Sequence, residues 1–417
     1  MSKFIITGGK KLQGRVSVPG SKNALFPLMA ACLLTEEECV LTNVPQISDR
    51  EIMCELLQDL GAKVQSQGSE LVITAGHLAK SDLDAGLSGK LRGSIVLLGA
   101  LLSRLGRASM NFPGGDLIGK RPVSAHLAAF EGLGAHTAAN GRIELEGANL
   151  HGAKIVLEES SVTATENAIL AASLAPGRTE IRLAATEPHI QQLCEFINLM
   201  GGQISGIGTA SIIIEGVQKL HGARIRMIPD STQAAGFIVL AAATKSDITV
   251  ADINPDVLDD FLLKLSKMNV SLEIGPDFAH VRPPVKDYAG IKIQSGLYPK
   301  LASDDIPPMA VLATQAHGET IIHEWMYENR QGYAKELAKM GAEITVLDSD
   351  RVRIVGPTSL KCAKMESLDI RMGMTMVIAA LVASGECEIA GIEHIDRGYE
   401  KLEERLQALG ADIKRID

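Results

Sequence analysis

Aromatic residues are scarce in this sequence: Phe, Trp and Tyr make up 3% of it, with a single Trp. That scarcity excludes the stacking platforms on which single-stranded nucleic acid is held. Positive charge is also short, with 41 Lys and Arg against 50 Asp and Glu and a net charge of −9. A groove that wraps a polyanion is therefore excluded, and any anion site must be local. No apolar run approaches the roughly 18 residues that a membrane helix needs. The opening MSKFIITGGKKLQG lacks the apolar core and cleavage site of a signal peptide. The six cysteines, at 32, 39, 54, 194, 362 and 387, form no CxxC pair. They are expected to be reduced thiols of a cytoplasmic protein, and neither a metal site nor a cofactor is expected.

What the sequence does hold is ample core and a repeat. Of its 417 residues 46% are hydrophobic and 22% charged, the composition of two or three globular domains. A short phrase closes an amphipathic segment again and again: LGA ending at Ala62, LGA at Ala135, MGG at Gly202, MGA at Ala342 and LGA at Ala411, with Met268-Asn269-Val270 as a degraded copy. The central residues 61, 134, 201, 269, 341 and 410 lie 73, 67, 68, 72 and 69 apart. A Gly or Asn there suits the left-handed residue that ends a helix. Around each phrase the order reads strand, small-residue apolar helix, strand, amphipathic helix, hairpin. Strands such as RVSV, AKIVL, ARIRMI, IKIQ and LDIR open the units. The sixth copy stops at ADIKRID, so FIITGGKKLQGRV at the N-terminus is expected to complete it. The expected fold class is α/β (α+β), in two globular domains of three βαβαββ units each. One domain is expected over 22–229, with a lid loop at 113–121. The other is expected over 1–21 plus 230–417.

Loops that open helices vary most freely and so carry function. Lys22, Arg92, Arg121, Arg371 and Arg397 fall in such loops. A cation there opposes the helix dipole, and a bound anion reverses the penalty. Together they predict one polyanionic site between the halves. The loop PGGDLIGKRPV at 113–123 is the longest insertion, with Gly114, Gly115 and Gly119 as hinges and Asp116 between them. An Asp on a closing lid can serve as a general acid. Asp304 and Asp305 form an acidic pair before Pro307, suited to take a proton from a hydroxyl.

These residues resemble a known family. VPGSKNALFPLMAACLL, PGGDLIGKRPV, EPHI at 187–190, IPD at 228–230, ENR at 328–330 and HIDRGYEKLEERLQALGADI at 394–413 are similar to the UDP-N-acetylglucosamine 1-carboxyvinyltransferases, from residue 4 to the end. The resemblance implies the enolpyruvyl-transferase inside-out α/β barrel. It also implies transfer of the enolpyruvyl group of phosphoenolpyruvate to the 3′-hydroxyl of UDP-N-acetylglucosamine, a step toward peptidoglycan and hence the cell wall. No cofactor or metal is implied, no nucleic acid or membrane partner, and a monomer or weak homo-oligomer is expected. Lys22, Arg121 and Arg397 are implied as the phosphoenolpyruvate clamp, with Arg371 beside them. Asn23 and Asp304 would meet the amino sugar. Arg92, Arg121, Pro122, Val123, Ser124, Ala125, Ser161, Val162, Thr163 and Met326 would line the nucleotide-sugar site. Asp116 stands where the family usually has Cys, so escape from the epoxide antibiotic fosfomycin is expected. Ser48, Ser124, Glu159 and Ser231 depart from the family pattern. Rival readings are an enolpyruvyl transferase with another acceptor, such as shikimate 3-phosphate or a different nucleotide, a non-catalytic sugar-nucleotide-binding paralogue, and an RNA 3′-phosphate cyclase. The last is disfavoured by the charge and the His spacing.

Overall fold

A computed structural model describes residues 2–115, 121–328 and 330–416. Asp116, Gly119, Lys120 and Asn329 lie outside the described residues. The chain divides into two compact units, passing from one to the other at 19–20 and again at 228–229. The described residues 20–115 and 121–228 form one unit; 2–19 and 229–416 form the other.

Each unit is built around helices that are mostly apolar and mostly buried. In the first these are Lys22–Ala31, Leu97–Leu105 and Val162–Ala172. In the second they are Ser231–Ala243, Ile306–Thr314 and Ile370–Val382. Sequences such as AGFIVLAAA and MTMVIAALV have no polar face to offer water, so they are stable only inside a core. Small residues let them approach one another closely, and each unit has its own contiguous core. The sheets lie outside the helices. Their strands alternate buried and half-buried residues, as in Glu38–Thr42 and Glu70–Thr74, the pattern of a sheet with one face on a core.

Among the described residues there are five four-stranded sheets and one of three strands. The N-terminal strand Lys3–Thr7 lies antiparallel between Glu386–Ala390 and Asp412–Ile416, so it does complete the sixth copy. At the two crossings the structure corrects the expected order. RVSV does not join the sheet of the helix that follows it. Its strand, Gln13–Ser17, runs parallel to Asp247–Ala251. In turn Arg224–Arg226 runs parallel to Glu38–Thr42. The helix after each crossing strand belongs to the other unit, so each strand can only pair in the unit it is leaving. Among the described residues the second copy has no opening strand, and an isolated bridge from Asp82 to Ser109 takes its place.

The six phrase residues all adopt positive φ: Gly61 at 105°, Gly134 at 94°, Gly201 at 94°, Asn269 at 65°, Gly341 at 90° and Gly410 at 94°. In each case the following N–H reaches back to the carbonyl five residues earlier, as in Ala62 to Leu57 and Ala342 to Leu337. This closes the last turn of the helix and turns the chain into the hairpin.

The cysteines need a second correction. Cys362 and Cys387 are joined, with Cα atoms 4.7 Å apart. Strand Lys364–Glu366 runs parallel to Glu386–Ala390, so Cys362, two residues before one strand, stands close to Cys387 within its neighbour. The pairing comes from strand adjacency rather than a local motif, which is why spacing does not reveal it. Cys32, Cys39, Cys54 and Cys194 are free and buried.

Candidate functional site

In the unit of residues 20–115 and 121–228, Lys22 opens its helix. Ser21 caps that helix through its hydroxyl, which accepts from Ala24 N–H at 3.3 Å. The cap places the Lys22 ammonium 2.8 Å from the Asp49 carboxylate. Lys22 is 8% exposed and Asp49 0%. A buried pair of this kind costs desolvation and is weak evidence of a purely stabilising role. Asn23, next to it, is exposed. Asp49 is a residue that sequence reasoning misses. In the sequence it looks like one more acidic first-turn residue, and only its burial against Lys22 sets it apart.

Arg92 begins a short 3-10 turn, Arg92–Val96, and its Nη2 donates to the Arg121 carbonyl. Arg121 has φ 40°, a left-handed conformation sparsely populated outside Gly. Pro122 follows, and Ser124 and Ala125 open the helix Ser124–Gly132. Ser161 caps the helix Val162–Ala172, with Thr163 in its first turn. Thr163 Oγ1 lies 3.1 Å from His126 Nε2. The structure thus joins segment 121–125 to segment 161–163 through His126, and joins Arg92 to Arg121. The departures Ser48 and Glu159 are both exposed.

Deeper in the same unit Glu166 is buried, 3.8 Å from His189 Nε2. Burial, and then the neighbouring Glu187, push its carboxyl well above the usual range. Glu187 is raised as well, chiefly by burial.

In the other unit Asp304 is the centre of a charge cluster. Its Oδ1 accepts from Arg330 Nη2, and its Oδ2 from Arg371 Nε at 2.7 Å. Both guanidiniums are buried. Arg371 is held by its own cap: Asp369 accepts from Arg371 N–H at 2.8 Å and from Met372 N–H at 3.0 Å. Asp305 is buried, and its Oδ1 has no hydrogen-bond partner among the described residues. Burial, and then Asp304, drive its pKa well above the usual carboxylate range. Tyr399 is pushed to about 12, again chiefly by burial. Arg330 is the second residue that single-residue reasoning overlooks, although it closes the ENR motif. Met326 is half-buried, its N–H donating to Glu324 at 2.8 Å.

Arg397 corrects the dipole argument. It caps the C-terminal end of the short helix Glu393–Asp396 rather than opening one. Arg121 likewise precedes the helix at Ser124 by three residues. Lys22, Arg92 and Arg371 do sit in the first turns of helices. Asp116, the expected acid, lies outside the described residues.

Residues 6–406 match the family model of EPSP synthase (3-phosphoshikimate 1-carboxyvinyltransferase). The chain is 38% identical to the UDP-N-acetylglucosamine 1-carboxyvinyltransferase of Borreliella burgdorferi, over 100% of its own length and 99% of that relative. It is 40% identical to UDP-N-acetylglucosamine 1-carboxyvinyltransferase 2 of Caldanaerobacter subterraneus subsp. tengcongensis, over 100% of both chains. Among solved structures it is similar to the enolpyruvyl transferase NikO from Streptomyces tendae, with a TM-score of 0.91, 25% identity, and coverage of 99% of this chain and 98% of that one. An EPSP synthase from Acinetobacter baumannii shares the fold, with a TM-score of 0.81 at 21% identity over the full length of both chains. With the inside-out arrangement of helices and sheets in each unit, full-length identity at this level means that the chain belongs to the enolpyruvyl transferases, within the UDP-N-acetylglucosamine 1-carboxyvinyltransferase family.

Proposed function

We propose that the protein transfers the enolpyruvyl group of phosphoenolpyruvate to the 3′-hydroxyl of UDP-N-acetylglucosamine and releases phosphate. The observation that carries this reading is full-length identity of 38–40% with relatives that bear that enzyme's name. The reaction supplies a precursor of peptidoglycan, and with it cell-wall growth, cell shape and division. In this reading the protein works in the cytoplasm as a monomer or weak homo-oligomer.

The chemistry is addition followed by elimination. Phosphoenolpyruvate is inert as an alkene until C3 gains a proton and C2 becomes cationic. Asp116 supplies that proton as general acid. The hydroxyl oxygen then bonds to C2, its proton passing to the Asp304–Asp305 pair. Both Asp304 oxygens already accept from guanidiniums. Among the described residues Asp305 Oδ1 has no hydrogen-bond partner, so it is the oxygen of the pair left to take a proton. Asp305 is accordingly the proton acceptor, and Asp304 orients the sugar. Loss of a proton from C3 and of phosphate from C2 regenerates the alkene. Lys22, Arg121 and Arg397, with Arg371, stabilise the charge that moves onto phosphate. Arg92, Pro122, Val123, Ser124, Ala125, Ser161, Val162, Thr163 and Met326 hold the nucleotide sugar.

Single-turnover and steady-state assays on Lys22→Ala and Arg397→Ala test the clamp. Each should lose a charge-assisted contact worth about 1.5–3 kcal/mol, seen as a higher KM for phosphoenolpyruvate and slower turnover. Normal activity per folded molecule alongside a collapsed melting temperature would mark these residues as structural ion pairs instead.

A further inference from the structure

His126 is 2% exposed, on the helix Ser124–Gly132. Its Nδ1 lies 2.9 Å from Asn167 Nδ2 and its Nε2 3.1 Å from Thr163 Oγ1. Which ring nitrogen carries hydrogen follows from Asn167, which is fully buried. Asn167 Oδ1 accepts from Gly99 N–H at 2.7 Å, so the remaining amide atom is the NH2 group. One of its hydrogens goes to the Ile95 carbonyl at 2.9 Å, and the other to His126 Nδ1. A ring nitrogen that accepts bears no hydrogen, so the neutral imidazole carries its hydrogen on Nε2. Burial, and then the charge of Arg92, keep the ring neutral by pulling its pKa down to about 3.

Nε2–H therefore donates to Thr163 Oγ1, and the hydroxyl hydrogen of Thr163 is left to donate elsewhere. Helical Thr commonly spends that hydrogen on the carbonyl four residues back, as Thr165 does on Ser161 at 2.8 Å. Among the described residues the partner of the Thr163 hydroxyl is His126, and Thr163 is half-buried rather than sealed. We propose that Asn167 and His126 are positioning residues that set Thr163 as a hydrogen-bond donor to an oxygen of the nucleotide sugar. This rests on the proposed function, which places segment 161–163 against that substrate. Thr163 thereby contributes to acceptor specificity: it favours a nucleotide sugar with an oxygen that can accept at that point and makes no demand on phosphoenolpyruvate.

Two measurements on the full chain test this. Ring-nitrogen NMR of protein labelled with 15N-histidine, with the His126 signals assigned by their loss in His126→Gln, should show Nε2 protonated and Nδ1 bare. A protonated Nδ1 overturns the proposal. Titration calorimetry with UDP-N-acetylglucosamine should show Thr163→Val weakened by about fivefold, the loss of one hydrogen bond, and Thr163→Ser should recover the affinity. The loss should fall on KM for the nucleotide sugar and not on KM for phosphoenolpyruvate, a split that a purely structural role would not give. Binding by Thr163→Val within twofold of wild type overturns the proposal. If wild type itself does not bind UDP-N-acetylglucosamine, the functional reading fails, and the ring tautomer alone decides whether His126 is arranged as described.

Discussion

At the scale of residues, the chain places several ionisable groups where water cannot reach them. His126 has the plainest consequence. Its pKa of about 3 in the folded protein lies below the ordinary 6.5, so the unfolded chain binds one more proton between these values. Stability rises with pH across that window and is lost as pH falls below about 6.5, at roughly 1.4 kcal/mol per unit. Glu166, Glu187 and Asp305 are shifted upward; they oppose this trend but are common to wild type and a His126 variant. From pH 7 to pH 5, urea titrations should show wild type losing about 2 kcal/mol more than His126→Gln. Equal losses would mean that the imidazole is not held neutral. Asp116 carries a separate prediction. A carboxylate is a poorer nucleophile toward an epoxide than a thiolate, so wild type should resist fosfomycin while Asp116→Cys stays active and becomes sensitive. Rapid labelling of wild type would remove Asp116 from the assigned position. Lys22, Arg92 and Arg371 were legible as cations out of place at helix starts, whereas Arg121 and Arg397 do not open helices. The buried partners were not legible. Asp49, Arg330 and His126 look ordinary in the sequence because only the packing removes them from solvent.

At the scale of elements, the sixfold phrase was legible because it meets a backbone requirement. A helix that must turn sharply into a hairpin needs a left-handed residue, and Gly takes that conformation without strain. Asn269 shows that the requirement concerns conformation rather than identity; its side chain also donates to the Asp287 carbonyl at 3.0 Å. At Gly341 and Gly410 a Cβ would meet nothing within 4 Å. Replacement by Ala should therefore cost only the left-handed penalty of about 1–2 kcal/mol. At Gly61 a Cβ would stand 2.8 Å from the His77 carbonyl oxygen, and Gly61→Ala should cost clearly more. Chemical denaturation of the three variants measures the ranking; equal costs would show that the backbone at Gly61 gives way freely. Strand membership at the two crossings was not legible. Gln13–Ser17 and Arg224–Arg226 read like any other opening strand, and their partners are fixed by which unit the chain is leaving.

At the scale of the whole molecule, two compact units each hold a helical core behind sheets, and the chain belongs to a family of enolpyruvyl transferases. Among the described residues no helix is long and apolar enough to cross a membrane. The disulfide ties the strand Glu386–Ala390, through Cys387, to Cys362 on the approach to its neighbour Lys364–Glu366. Burial pushes the thiols of Cys54 and Cys194 up to about 11 and 12, which keeps them from the reactive thiolate form. All four free thiols are buried, so native protein should react slowly with a thiol reagent, and denatured, unreduced protein should titrate four thiols rather than six. The central claim is enolpyruvyl transfer to a nucleotide sugar, and it is tested most directly by phosphate release from phosphoenolpyruvate in the presence of UDP-N-acetylglucosamine, UMP or shikimate 3-phosphate. The account predicts rapid release with UDP-N-acetylglucosamine and formation of its enolpyruvyl ether, with little release from the other two. Release with another acceptor alone, or with none, would contradict it.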